Sequence, residues 1–166
     1  MGERTAELIE VLENEISLFE SLLDAASYEK DAMENFYLEE MLSCQKSIMS
    51  LNLDINVLEG RRKKITDEIA ERRQIPPESL TLQDLVFEAD GEERIRLERC
   101  RTALKNLLES LSTVLKENRQ LASGSLEFLD RSIKVLSGYE VKESNYLPSG
   151  ILEQREYPAN RVMKEV

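Results

Sequence analysis

The chain has 166 residues and a formal charge of −11, with 41% hydrophobic, 33% charged and 5% aromatic side chains, six glycines and four prolines. A length of this order fits one domain, and aliphatic plus charged side chains with few turn formers point to long amphipathic helices and away from a sandwich or barrel. The charge is concentrated: residues 1–59 carry 14 acidic and 3 basic side chains, so the surface repels phosphate and nucleic acid is a poor partner.

The first apolar pattern is Ile9, Leu12, Ile16, Phe19, Leu23 and Ala26. Its steps alternate three and four, which keeps one stripe on one helix face. Leu8, Val11, Leu18 and Leu22 widen the stripe, as suits a helix with more than one neighbour in a bundle. The register slips near "YEKDAMENFY". Asp31 and Glu34 have the spacing of a capping box, so a fresh start near Asp31 and a continuous helix with a stutter are both open.

The second pattern runs Met41, Cys44, Ile48, Leu51, Ile55, Leu58, Arg62, Ile65, Ile69, and only Arg62 interrupts it. It predicts a helix from about Phe36 to Arg73, roughly 57 Å long at ~1.5 Å per residue. Pro76 and Pro77 end it, because proline lacks the amide hydrogen and restricts the residue before it. The run "GRRKK" at 60–64 is read as a solvated helix face. "TLQDLVF" at 81–87 predicts one or two helical turns, with Thr81 and Asp84 spaced for a capping box. Asp90-Gly91 marks a turn.

The third pattern is Leu97, Cys100, Leu104, Leu107, Leu111, Val114, Asn118, Leu121, Ser125, Phe128, with a flanking row through Leu108, Leu115, Ala122, Leu129, Ile133 and Leu136. It predicts a helix from Glu92 to about Ser137, stopped by Gly138. Two features are odd for a packed helix: Asn118 on the apolar seam and Gly124 in mid-helix. Both read as ordinary imperfections or as devices. Asn118 would weaken the seam yet fix its register, and Gly124 would let another helix approach closely, at a cost of about 1 kcal/mol relative to alanine. The periodicity ends at Gly138. Residues 1–138 are therefore expected to form an all-α, elongated antiparallel bundle of long helices with a short connecting helix. The helix through Ile48 and Ile65 would lie beside the one through Leu104 and Leu121. Residues 139–166 are expected to form a flexible, irregular tail with scattered apolar anchors.

Much catalytic chemistry is missing. The sequence holds no histidine, which removes the commonest general base and transition-metal ligand. Its two cysteines, Cys44 and Cys100, fall on apolar seams and read as buried free thiols, too few for a disulfide framework or a structural zinc site. No glycine-rich phosphate loop is present. No cofactor or metal is expected, and an enzyme is not. No signal peptide or membrane span is expected either, since no segment approaches about 18 continuous apolar residues, so the cytoplasm is the expected compartment. What remains is binding: apolar stripes wider than a bundle can bury mark a partner site, although for any one leucine the bundle core is the plainer reading.

"ENRQLASGSLEFLDRSIKVLSG", residues 117–138, followed by a tail with tyrosine and glycine, resembles the FlgN-type flagellar export chaperones. The residues that carry the likeness are Asn118, Leu121, Ser125, Leu126, Glu127 and Phe128, then Tyr146 and Gly150, with Tyr139 as the alternative tail tyrosine. The leucine-rich acidic first helix, the short break and the long second helix ending in "EGRRKKITDEIAERRQI" match the family's layout as well. The stretch "ILEQREYPANRVMKEV" beyond Gly150 is longer than the family pattern.

The resemblance implies a small cytoplasmic chaperone, acting without ATP or metal, that binds the C-terminal helical region of the hook–filament junction proteins. It would keep them from self-association and deliver them to the type III export gate. The residues expected to contact the client are Asn118, Leu121, Gly124, Leu126, Phe128, Leu129, Ile133 and Leu136 on the helix, with Tyr146, Leu147, Ile151, Leu152 and Tyr157 as tail anchors. A monomer or small homo-oligomer is expected. A structural coiled-coil adaptor is the alternative.

Overall fold

Four α-helices account for most of the residues that the computed structural model describes, which are 2–136, 144–146 and 152–154. They are α1 (Gly2–Glu34), α2 (Leu38–Arg72), α3 (Leu82–Glu88) and α4 (Gly91–Leu136). The fold is an all-α helical bundle, as the periodicity predicts. The chain divides into two units, Met1–Leu121 and Ala122–Val166.

In the first unit the wide stripe of α1 explains its place. Leu8, Ile9, Val11 and Leu12 are all buried. Side chains at these spacings span nearly half of a helix circumference, so one neighbour cannot cover them all. Leu8, Ile9 and Leu12 join Ile65 and Ile69 of α2, Leu85 and Val86 of α3, and Leu97 and Cys100 of α4 in one core cluster. A second cluster joins Leu22 and Ala26 of α1 to Ile55 of α2 and Leu111 of α4. Each fully buried leucine or isoleucine is worth about 1.5–3 kcal/mol relative to exposure.

Cross-helix polar pairs give the directions. Arg4 of α1 meets Glu68 of α2 at 2.9 Å, and Glu15 of α1 meets Arg62 of α2 at 2.9 Å. Rising numbers on one helix pair with falling numbers on the other, so α1 and α2 are antiparallel. Glu13 of α1 meets Arg96 of α4 at 2.8 Å, and Lys30 meets Glu117 at 2.8 Å. Here both numbers rise, so α1 and α4 are parallel. It follows that α2 and α4 run antiparallel, and both contribute to the two core clusters with α1.

The turns show how the chain reverses. The α1 helix does not restart at Asp31; it continues to Glu34. The Tyr37 amide then donates to the Ala32 carbonyl at 2.9 Å and the Phe36 amide to Met33 at 3.3 Å, with Phe36 at φ 58°. This double bond is the Schellman ending, which normally uses glycine at the left-handed position. The same pair closes α2, where Ile75 donates to Ala70 at 3.1 Å and Gln74 to Glu71 at 3.0 Å, with Gln74 at φ 56°. Both turns place a side chain where one costs roughly 1–2 kcal/mol. Pro77 then opens a short 3-10 turn, Pro77–Ser79. The Thr81–Asp84 box forms at the start of α3: the Asp84 amide donates to Thr81 Oγ1, and the Thr81 amide to Asp84 Oδ2.

Within the segment expected to be irregular, β1 (Ser144–Tyr146) and β2 (Leu152–Gln154) pair antiparallel, with Asn145 opposite Glu153. Two strand segments with only three residues each carry too short an alternation to register as periodicity. The remaining positions of the expected tail lie outside the described residues.

Arg62, the one interruption in the α2 seam, has a physical reason. Glu15 of α1 is only 2% exposed, and Arg62 Nε donates to its Oε1 at 2.9 Å. The long arginine stem reaches the seam while its head stays partly solvated. Burial pushes the Glu15 carboxyl above its ordinary value of 4.5, and Arg62 works against that rise. The folded state therefore holds this proton more tightly than the unfolded chain does. The contribution of Glu15 to stability is fullest below pH ~4.5 and is lost as pH rises through the higher folded-state value. In Glu15→Gln this term does not titrate. Urea unfolding at pH 7 and near pH 5 should show the wild type gaining stability relative to Glu15→Gln as pH falls, whereas a pH-independent difference would contradict the assignment.

Candidate functional site

The three-four seam of α4 changes character along its length. Leu97, Cys100, Leu111 and Asn118 are buried. In the same periodicity come Ala122, Leu126, Leu129, Ile133 and Leu136, all of them exposed. Leu126 is 67% exposed, Leu129 54% and Leu136 86%. Their steps of three and four place them on one helix face. Phe128 and Val135, seven apart, form a second row and are also exposed. The charged side chains on this stretch pair along the helix, Lys134 with Asp130 at 2.6 Å and Arg131 with Glu127 at 3.9 Å. Such pairs are the mark of a solvated polar face. A helix apolar over so wide an arc normally has it covered.

Asn118 sits at the last buried position of the seam. Its Nδ2 donates to the Ala26 carbonyl at 2.8 Å and to Glu29 Oε2 at 3.0 Å, both on α1. Both partners are acceptors, which fixes the orientation of the amide. Its Oδ1 is buried without a hydrogen-bond partner. Leu121 is half-buried, and Gly124 is exposed. A Cβ built at Gly124 meets no atom within 4 Å, so among the described residues none uses the close approach this glycine permits. Tyr146 lies in β1 and Leu152 in β2. Leu147, Ile151 and Tyr157 lie outside the described residues. The structure thus brings Leu126, Leu129, Ile133 and Leu136 onto one face with Phe128 on a second row, and places Asn118 in the interior.

Two further apolar surfaces escaped the periodicity. One is a row on α2 through Leu42, Met49, Leu53 and Val57, all exposed. Its spacing of seven, four and four was present in the sequence, hidden beside the stronger seam. The other is the pair Phe87 and Ile95, also exposed, on two helices whose proximity only the fold reveals.

Cys44 and Cys100 are free and buried. Burial pushes both thiols up, and Glu29 adds to the rise at Cys44. A thiol held protonated is a poor nucleophile. Among the described residues no group of three or more Cys, Asp or Glu side chains is placed to hold a metal ion, and no described helix is long and apolar enough to cross a membrane.

Residues 1–154 match the family model described as FlgN protein. No curated protein and no solved structure matches the chain.

The Asn118 geometry predicts an asymmetry between two substitutions. Asn118→Ala leaves a small void and removes both bonds, and should cost about 1–3 kcal/mol in urea unfolding. Asn118→Leu loses the same bonds and the same unpartnered oxygen but fills the volume, and should be the more stable of the two. The reverse order would contradict a buried position on an apolar seam.

Proposed function

The chain belongs to the FlgN family of flagellar export chaperones, and from that premise we propose that the exposed α4 face around Leu126, Leu129 and Leu136 receives the C-terminal helical region of a hook–filament junction protein. The single observation behind the proposal is the continuity of the α4 seam, which is core up to Asn118 and exposed through Leu136. A subunit awaiting export keeps its amphipathic terminal helices unassembled. An apolar helix face can cover them in the helix-in-groove manner. Covering prevents premature self-association, and the complex is then delivered to the type III export apparatus. The chaperone works by binding, without catalysis or cofactor, in the cytoplasm.

Magnitudes suggest what else takes part. Six large apolar side chains from Leu126 to Leu136, already partly dehydrated, would yield on the order of 10 kcal/mol when covered. Association costs about 4–15 kcal/mol. The helix face alone is therefore a marginal binder, and the tail would add anchors through Leu147, Ile151, Leu152 and Tyr157. A self-assembling coiled-coil scaffold is the second reading, favoured by the exposed α2 row. Sedimentation separates the two: a chaperone stays a monomer or small oligomer and forms a defined client complex.

Co-purification with a hook–filament junction protein, with and without its C-terminal helices, tests the proposal. Capture should need those helices. Leu129→Asp and Leu126→Asp should each weaken binding at least tenfold (about 1.4 kcal/mol), while leaving stability within ~0.5 kcal/mol because both sites are exposed. Undiminished capture by both variants, or equal capture of a client lacking its terminal helices, would overturn it. Deleting residues 139–166 should weaken the complex; unchanged affinity would remove the tail from the account.

A further inference from the structure

A second surface, sharing no residue with the α4 face above, lies between α3 and the first turns of α4. It is an open trough of about 950 Å³. Phe87 and Ile95 line it, with Val86 and Ala103 extending the apolar lining. Phe87 is 70% exposed and Ile95 59%. Three arginines, Arg94, Arg99 and Arg101, line the trough against a single glutamate, Glu98. Arg101 is spent on Glu98, its Nη1 lying 3.0 Å from Oε1. Arg94 and Arg99 are exposed and form no ion pair with any described residue.

The chain carries −11 overall, yet the lining of this trough is net basic. Arg4, Arg61, Arg62, Arg73 and Arg96 each meet a glutamate. In this trough two unpaired arginines flank two exposed apolar anchors, and an open trough suits a chain segment better than an enclosed small molecule.

We infer that this trough docks an acidic amphipathic segment of a second protein, its apolar side chains resting on Phe87 and Ile95 and its carboxylates facing Arg94 and Arg99. The guanidinium fork accepts a carboxylate in a bidentate pair. Exposed ion pairs add little affinity, so the apolar contacts supply most of the binding and the arginines select for acid. Nucleic acid also carries negative charge, but the acidic surface elsewhere repels it.

The test uses the full chain with a photo-reactive benzoyl-phenylalanine at position 87 or 95, irradiated in flagellated cells that produce it, with the cross-linked peptide sequenced by mass spectrometry. A cross-link is expected to a protein other than this chain, on a segment with excess Asp and Glu and at least one large apolar residue. Arg94→Glu/Arg99→Glu should lower its yield at least tenfold while the thermal melt stays unchanged. The inference fails if no cross-link rises above that from position 28, or if the product is a second copy, residues 139–166 of the same chain or nucleic acid. It fails equally if the segment is not acidic, or if the yield survives charge reversal.

Discussion

The hydrogen bond from Asn118 to the Ala26 carbonyl is the interaction on which the arrangement turns. It joins α1 and α4 at one level, beside the Lys30–Glu117 pair. The same amide also donates to Glu29, so two acceptors of α1 hold it in this register. Asn118 is also the last buried position of the α4 seam. One polar side chain thus fixes where α4 stops being core. A leucine in its place would pack more comfortably and would specify the pairing less sharply. The buried oxygen left without a partner is the cost of that specificity, about 1–3 kcal/mol.

The first unit can bear such a cost because α1 is buried on two sides. Leu8, Ile9, Val11 and Leu12 give it contacts with α2, α3 and α4 together. Glu15 lies on the same helix and makes Arg62 necessary in the opposing seam. Apolar capacity is therefore not short in this chain. The first unit has apolar clusters of its own, and the large apolar side chains of the row from 126 to 136 are exposed. That row belongs to a helix that is otherwise ordinary, with paired charges along its polar face.

Much of this was legible in the residues. The three long helices, the Thr81–Asp84 cap and the buried cysteines follow from spacing and from proline and glycine positions. The width of the α1 stripe pointed to more than one neighbour, and α1 packs with α2, α3 and α4. The end of α1 was harder, because the turn at Phe36 is made by a residue that normally avoids the left-handed conformation, and Asp31 with Glu34 offered a competing signal. Arg62 looked like noise until Glu15 was placed opposite it, and no one-dimensional pattern links those two positions. Periodicity likewise could not say which part of the α4 seam is covered, since buried and exposed stretches share the same three-four spacing. Phe87 and Ile95 carry no pattern at all; only the packing of α3 beside α4 makes them one surface.

The central claim is that the α4 face from residue 122 to 136 is completed by a client helix. Hydrogen–deuterium exchange on the full chain, free and saturated with a hook–filament junction protein, measures it most directly. The account predicts that amides of residues 122–136 exchange readily in the free protein and slow by an order of magnitude or more in the complex, while those around Leu97 and Cys100 are already protected in both. Protection appearing elsewhere with residues 122–136 unchanged would contradict it.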